Sequence, residues 1–227
     1  MSEPESAAAQ PETRTRRRLR VTFARDETLK YIGHLDMALT WQRILRRAGL
    51  PLAYSEGFNP QPKITFAAAL PVGCVSNCEI MDVVLEDGGD LDAVSEQLKR
   101  ALPPGIKLIS IAEAPLNAPA LQVQLAAAEY EIAIGPDQPI GLLPDRVREF
   151  LSADEVMRSR RGKLYNLRPL VQSLEIDSEA DRVVVRTRLQ ATETGTGRPD
   201  ELIAALGADP ATAHIRRTGL IFLDKTT

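Results

Sequence analysis

A histidine and a carboxylate stand at the start of a predicted helix, and cationic side chains follow them. The helix is predicted over residues 34–48, where His34 and Asp36 open it and Arg43 and Arg47 lie on its polar face. An imidazole can exchange a proton near neutral pH, and guanidinium groups can bind phosphate. His34 is therefore a candidate general acid or base, and all four are candidate substrate-binding residues. Alternatively, His34 only hydrogen-bonds the first turn and fixes the geometry of the loop.

The loop after this helix combines a stiff backbone with aromatic and basic side chains. Residues 54–63 read Tyr-Ser-Glu-Gly-Phe-Asn-Pro-Gln-Pro-Lys, in which glycine permits a positive φ and the prolines restrict the chain. Such side chains can stack on a base and pair with phosphate, so we expect the loop and His34 to border a common groove. A rigid connection at the sheet edge is the equally favoured alternative. The candidate substrate-binding residues are Tyr54, Ser55, Phe58, Asn59 and Lys63.

A second basic segment, residues 158–168, mixes cations with a tyrosine around Gly162, which is typical of a hairpin tip. Phosphate contacts made by such a tip would make binding salt-dependent. The alternative is a hairpin tip that is merely solvated. The candidate substrate-binding residues here are Arg158, Arg160, Arg161 and Lys163. A further basic run covers residues 14–20, and a charge run of this kind is usually a solvated face.

Composition limits the classes of protein to consider. The chain has 227 residues, 44% of them hydrophobic, and a formal net charge of −3. These are ordinary globular values, and the overall charge does not indicate a polyanionic partner. No apolar run is long enough to span a bilayer, and the first residues lack the apolar core of a signal peptide. We therefore predict a cytoplasmic protein without a membrane partner.

The two cysteines, Cys74 and Cys78, limit the metal chemistry that the chain could perform. A [4Fe–4S] cluster needs at least three protein thiolates, so this chain is not itself a radical-SAM enzyme. The two histidines are far apart in sequence and do not form a recognisable ligand set. We predict no metal site and no cofactor.

Hydrophobic periodicity predicts an α+β protein built from two tandem ferredoxin-like (βαββαβ) modules. A single larger mixed sheet is the alternative. The predicted elements of the first module are strands 19–23, 64–70, 79–85 and 106–111 and helices 34–48 and 91–102. Those of the second are strands 130–134, 170–176, 183–189 and 215–223 and helices 144–151 and 199–206. The predicted division is a disordered tail (1–17), a first domain (18–112), a linker (113–127) and a second domain (128–227).

Several of these segments together resemble the radical-SAM-linked family of accessory proteins of unknown function. The similarity lies in residues 33–36 (Gly-His-Leu-Asp), 54–63 and 70–73 (Leu-Pro-Val-Gly), and more weakly in 195–199 and 217–219. Members of the family usually have serine where Gly33 stands. The resemblance implies a cobalamin-binding radical-SAM protein as partner, because relatives are encoded beside one or fused to one. It implies no catalytic residues.

Three functions are compatible with these observations. The favoured one is an accessory protein of a radical-SAM enzyme that binds RNA or another phosphate-bearing substrate. A second is a metal-independent endoribonuclease using His34, similar in layout to the CRISPR repeat-processing enzymes that use a local 2′-hydroxyl. A third is a pure protein-interaction partner of the radical-SAM enzyme. We expect a binding protein more than an enzyme.

Overall fold

The computed structural model describes residues 16–87, 89–178 and 182–223. The first half consists of β1 (Arg16–Arg25), α1 (His34–Arg47), β2 (Ile64–Phe66), β3 (Cys74–Glu86), α2 (Leu91–Ala101) and β4 (Ile106–Ala114). The second half begins with α3 (Leu121–Gln124), β5 (Leu125–Ile134), α4 (Leu143–Ser152), β6 (Met157–Arg160) and β7 (Lys163–Asn166). It continues with β8 (Val171–Ser178), β9 (Val183–Thr192), β10 (Gly195–Thr196), α5 (Pro199–Ala205) and β11 (His214–Phe222).

One large mixed sheet connects the two halves. Nine strands within the described ranges join it in the order β10-β9-β5-β11-β3-β1-β4, while β2 also pairs with β3, and β8 with β9. The strands β6 and β7 form a separate hairpin. The link between the halves is a short parallel pairing of β11 with β3, from Ile215 opposite Cys74 to Arg217 opposite Ser76. The α+β class is confirmed, and the sheet is the single larger mixed one named as the alternative.

Each half orders its strands in the same way. In the first half the order is β4-β1-β3-β2, and in the second it is β11-β5-β9-β8. All of these neighbours are antiparallel. Counting only these four strands in each half, the last strand in sequence lies beside the first, and the third lies between the first and the second.

Alternation of side chains builds a separate core under each half. In β1, Leu19, Val21 and Phe23 point inward and pack with the buried face of α1, which includes Trp41. The helix α1 ends before Gly49, whose positive φ of 72° suits a helix C-terminus. In the second half, α4 and α5 pack on the inward residues of β5 and β9. No helix in the described ranges is long and apolar enough to cross a membrane.

Some element boundaries differ from the prediction. The strand predicted over 64–70 stops at Phe66, and the strand predicted over 79–85 begins five residues earlier, at Cys74. Arg16 and Arg17, placed in the tail, belong to β1 because they pair with Glu86 and Leu85 of β3. Residues 1–15 lie outside the described part of the chain. The predicted linker is strand at both ends, since β4 runs to Ala114 and β5 starts at Leu125; the division into domains stays a prediction.

Candidate functional site

The predicted acid–base pair lies on the surface of the first half. His34 and Asp36 occupy the first turn of α1, and both are exposed. The His34 ring packs edge-on against Phe66, with 5.4 Å between ring centroids. Among the described residues, no hydrogen bond or ring contact links His34 to Phe58 or Lys63. The groove described below that includes Lys63 is lined by neither His34 nor Phe58, and the common groove expected for these residues stays a prediction.

The outer side of α1 carries both cations and exposed apolar side chains. Arg43 is exposed, and Arg47 donates a hydrogen bond to the backbone carbonyl of Ala101 at the end of α2. One turn apart on the same helix, Leu35 and Leu39 are 77% and 48% exposed. This face of α1 therefore combines charged and exposed apolar side chains.

The 54–63 loop is a closed turn that presents its aromatic residue to solvent. The Ser55 amide donates to the Gln61 carbonyl at 2.8 Å, and the Gln61 amide donates to the Ser55 hydroxyl at 3.0 Å. Gly57 has φ of 118°, which a residue with a side chain rarely adopts. Phe58 at the tip is fully exposed, and Asn59 and Tyr54 are exposed as well.

A groove of about 370 Å³ brings Ser55 and Lys63 together with two groups from the sheet, Arg18 and Asp82. Those two are nearly buried and are already paired, with 2.7 Å between Arg18 Nε and Asp82 Oδ2. Arg18 also donates to the carbonyls of residues 118 and 119 in the connecting segment. Since these charges are satisfied internally, the groove offers a ligand little beyond Lys63.

A second and larger cleft, which we call the cationic cleft, lies beside the β6–β7 hairpin and has a volume of about 580 Å³. Four cations line it, namely Arg160, Arg161, Lys163 and Arg198. The hydroxyl-bearing turn at residues 194–196 forms another wall, and none of its described lining residues is a carboxylate. Apart from Arg198, which is held by Asp200 at 2.8 Å, none of these cations has an ion-pair partner in the described chain.

The hairpin places these cations through its turn geometry. Arg160 pairs with Lys163 across the hairpin, and the two residues between them, Arg161 and Gly162, have φ of 50° and 76°. Two positive φ values are typical of a type I′ turn, although arginine is unusual at its first position. The hairpin predicted around Gly162 is confirmed. Its remaining candidate, Arg158, is tied to Glu201 at 3.2 Å and does not line the cleft.

A smaller cavity adjoins the cationic cleft, and we call it the alanine pocket. Its volume is about 270 Å³, and it shares Arg160, Thr196 and Arg198 with the cleft. One wall is formed by residues 67–71 of the first half, and the others come from the second half. The pocket therefore lies where the two halves meet.

A buried arginine holds this junction together. Arg217 is 1% exposed and donates to the Glu79 carboxylate at 3.0 Å, the Ala69 carbonyl at 2.8 Å and the Tyr130 hydroxyl at 3.1 Å. Burial by itself lowers the pKa of Arg217, but the Glu79 carboxylate and Tyr130 outweigh it, so the pKa is raised. Burial raises the pKa of the neighbouring Cys78 thiol to about 11 and that of Cys74 to about 12.

The candidate site residues that sequence reasoning missed are Tyr130, Thr196, Arg198 and Arg217, all of which line the alanine pocket. The available signal was the motif at residues 70–73 together with the two weaker motifs at 195–199 and 217–219, which are far apart in sequence. Pro71 of the first motif, Thr196 and Arg198 of the second and Arg217 of the third all line the alanine pocket.

A large mixed sheet with helices packed on it, and a cationic cleft in its second half, define an α+β protein with a candidate anion-binding site. The chain belongs to a family described as an uncharacterized protein conserved in bacteria (DUF2344), which it matches over residues 18–199. No curated protein matches the chain.

Solved structures show low similarity to the chain. A chain of a Cbf5-Nop10-Gar1 complex is 14% identical with a TM-score of 0.47, and the match covers 89% of this chain and 48% of that one. A chain of an archaeal box H/ACA sRNP Nop10-Cbf5 complex is 15% identical with a TM-score of 0.44, covering 89% and 47%. This chain thus spans about half the length of those chains. An unknown protein from Galdieria sulphuraria is 14% identical with a TM-score of 0.25, covering 92% and 99%.

Proposed function

We propose that the protein is an accessory protein of a radical-SAM enzyme and binds RNA or another phosphate-bearing substrate in the cationic cleft. The observation that supports this proposal is the lining of the cleft. Arg160, Arg161 and Lys163 face it without an ion-pair partner in the described chain, and Arg198 joins them. Guanidinium and ammonium groups that lack internal carboxylates are available to bind phosphate oxygens, and threonine hydroxyls can donate further hydrogen bonds.

The experiment is a filter-binding titration with single-stranded RNA across a range of salt concentrations. The variant Arg160→Gln/Arg161→Gln/Lys163→Gln removes three charges from the cleft, and we expect its affinity at low salt to fall by about 100-fold. The matched control is Arg46→Gln/Arg100→Gln/Lys107→Gln, which removes three exposed charges elsewhere. The proposal fails if both variants lose affinity equally, or if the wild type binds RNA no better than an acidic control protein.

The radical-SAM partner is supported by the family resemblance and by the exposed apolar side chains of α1. Leu35, Leu39 and the nearby Tyr31 are large and solvent-facing, which suits a docking surface for a protein. Co-purification with the cobalamin-binding radical-SAM protein, after nuclease treatment, tests this part. We expect Leu35→Ser/Leu39→Ser to abolish it, with Arg100→Gln, at an exposed site on α2, as the control. Survival of the complex in the serine variant contradicts docking at α1 and leaves RNA binding untouched.

We also propose that each half has a ferredoxin-like fold, which the repeated strand order supports. The proposed location of the protein is the cytoplasm. Among the described residues, the outer face of the sheet in the second half has no aromatic platform of the kind that RNA-binding sheets use. It carries alternating ion pairs instead, among them Arg188 with Glu129 at 2.7 Å and Arg186 with Glu131 at 3.4 Å. This favours the cleft over the sheet face as the binding site.

The endoribonuclease alternative stays a prediction, and no described contact adds a second catalytic group to His34. It requires that His34→Ala abolish RNA cleavage while RNA binding is retained. Equal cleavage by the wild type and the variant would discard it. Cleavage lost in the variant would instead establish an enzyme.

A further inference from the structure

The cationic cleft and the alanine pocket are joined but differ in their charge. The cleft has no carboxylate among its described lining residues, whereas Glu193 lines the pocket. The pocket's buried cation, Arg217, is neutralised by Glu79. Arg160 and Arg198 line both cavities, whereas Arg161 and Lys163 line only the cleft. A phosphate group is therefore favoured more in the cleft than in the pocket, where the less charged part of the same ligand would lie.

The walls of the alanine pocket suit a flat, weakly polar group. Small apolar side chains dominate the lining, which includes Ala67, Ala68, Ala128 and Ala191. Ligand sites of this kind are mainly apolar with a few placed polar groups. The methyl groups of these alanines leave room for a ring beside the larger lining residues, such as Tyr130.

The polar groups of the pocket can recognise the edge of such a ring. The Tyr130 hydroxyl is nearly buried and accepts two hydrogen bonds from Arg217, from Nε at 3.3 Å and from Nη2 at 3.1 Å. The O–H group of Tyr130 donates to no acceptor among the described residues, and Tyr130 lines the pocket. Gln122, whose amide can both donate and accept, lies on the pocket wall as well.

We propose that the two cavities form one bipartite site for a nucleoside phosphate, with the phosphate in the cationic cleft and the base in the alanine pocket. This inference rests on the proposed function and narrows the substrate to a class. Arg160, Thr196 and Arg198 line both cavities, so one ligand can occupy them together. The nucleoside phosphate comes either from a free nucleotide or from an unstacked residue of an RNA strand, since both present the same groups.

The test is calorimetric titration of the full chain with inorganic phosphate, ribose 5-phosphate, the four ribonucleoside 5′-monophosphates and a short single-stranded RNA. We expect at least one monophosphate to bind about tenfold more tightly than ribose 5-phosphate, because only the monophosphate fills the pocket. Ala68→Leu, which narrows the pocket, and Gln122→Ala should each reduce this advantage and leave ribose 5-phosphate binding unchanged. Ala211→Leu, at an exposed site, is the control for the added bulk.

The outcomes separate the inference from the proposed function. If every monophosphate binds no better than ribose 5-phosphate, or if Ala68→Leu keeps the full advantage, the bipartite site is wrong while phosphate binding stands. If no phosphate compound and no RNA binds, both proposals fail. Suppose that at least one monophosphate binds more tightly than ribose 5-phosphate. Tighter binding of the RNA than of any monophosphate then identifies an RNA strand as the source of the nucleoside phosphate. Equal or weaker RNA binding identifies a free nucleotide.

Discussion

The strand β1 and the β6–β7 hairpin are the two arginine-rich regions of the molecule, and they differ in what faces their cations. Every described arginine of the first basic run has a carboxylate partner: Arg16 pairs with Glu86, Arg17 with Glu113, and Arg18 and Arg20 with Asp82. In the hairpin, Arg160, Arg161 and Lys163 have no such partner in the described chain. The comparison shows that a run of cations does not by itself indicate a binding site. The arrangement of nearby carboxylates decides whether the charge supports the fold or is available to a ligand.

The largest expected effect is on stability and concerns β1. Asp82 is 2% exposed and accepts from Arg18 and Arg20, so Asp82→Asn leaves Arg18 nearly buried without a carboxylate. We expect a loss of about 3 kcal/mol in the free energy of unfolding by urea denaturation, with RNA affinity unchanged below the transition. Glu86→Gln, at the exposed pair with Arg16, should cost less than about 1 kcal/mol. If Asp82→Asn kept its stability but bound RNA more weakly, the arginines of β1 would serve ligand binding and not the fold.

The next effect is on the salt dependence of binding and concerns the hairpin. If its three unpaired cations each contact a phosphate, replacing all three by glutamine should lower the slope of log affinity against log salt by about 2. The corresponding change in β1, Arg16→Gln/Arg17→Gln, should leave the slope as it is. Equal slopes for wild type and hairpin variant would place the phosphate contacts elsewhere.

A smaller effect on RNA affinity is expected when a paired arginine of the hairpin loses its carboxylate partner. Arg158 belongs to the hairpin but is paired with Glu201, and it resembles the arginines of β1 in this respect. Glu201→Gln frees its charge, and we expect RNA affinity at low salt to rise by about threefold. The exposed pair of Arg148 with Asp145 offers a control, since Asp145→Asn should change RNA affinity little. A decrease in affinity with Glu201→Gln would show that Glu201 itself takes part in binding.

The smallest expected effect is the change in the free energy of unfolding of the hairpin variant. Because its three cations make no ion pair within the described chain, the glutamine triple variant should unfold within about 0.5 kcal/mol of the wild type. Thermal denaturation followed by circular dichroism measures this difference. A loss comparable to that of Asp82→Asn would mean that the hairpin cations support the fold after all.

Much of the fold could be predicted because its elements follow from local patterns. The alternation over residues 19–23, the apolar stripe of α1 and the glycine at the hairpin tip each specify an element without reference to the rest of the chain. The start of β3 could not be predicted in this way. Ser76 is polar, yet it is buried because the other half supplies its surroundings, with Arg217 of β11 opposite it.

The candidate site was predicted less completely, for a related reason. The most distinctive motifs surround α1, but the structure distributes His34, Phe58 and Lys63 over the surface without a direct contact. The hairpin cations were singled out as candidate substrate-binding residues, which stays a prediction, and the structure places Arg160, Arg161 and Lys163 in the lining of the cationic cleft. Arg198 and Arg217 were missed because their importance depends on the meeting of segments distant in sequence, which no local pattern encodes.

The pairing of β11 with β3 has a consequence for how the molecule folds. Arg217 and Cys78, which touch across this junction, are 139 residues apart in sequence. Each half can form its own antiparallel strands early from closer segments, whereas the parallel seam needs both to be in place. We therefore expect the alanine pocket to assemble late in folding, and a chain stalled before that step would possess two folded cores and no complete pocket.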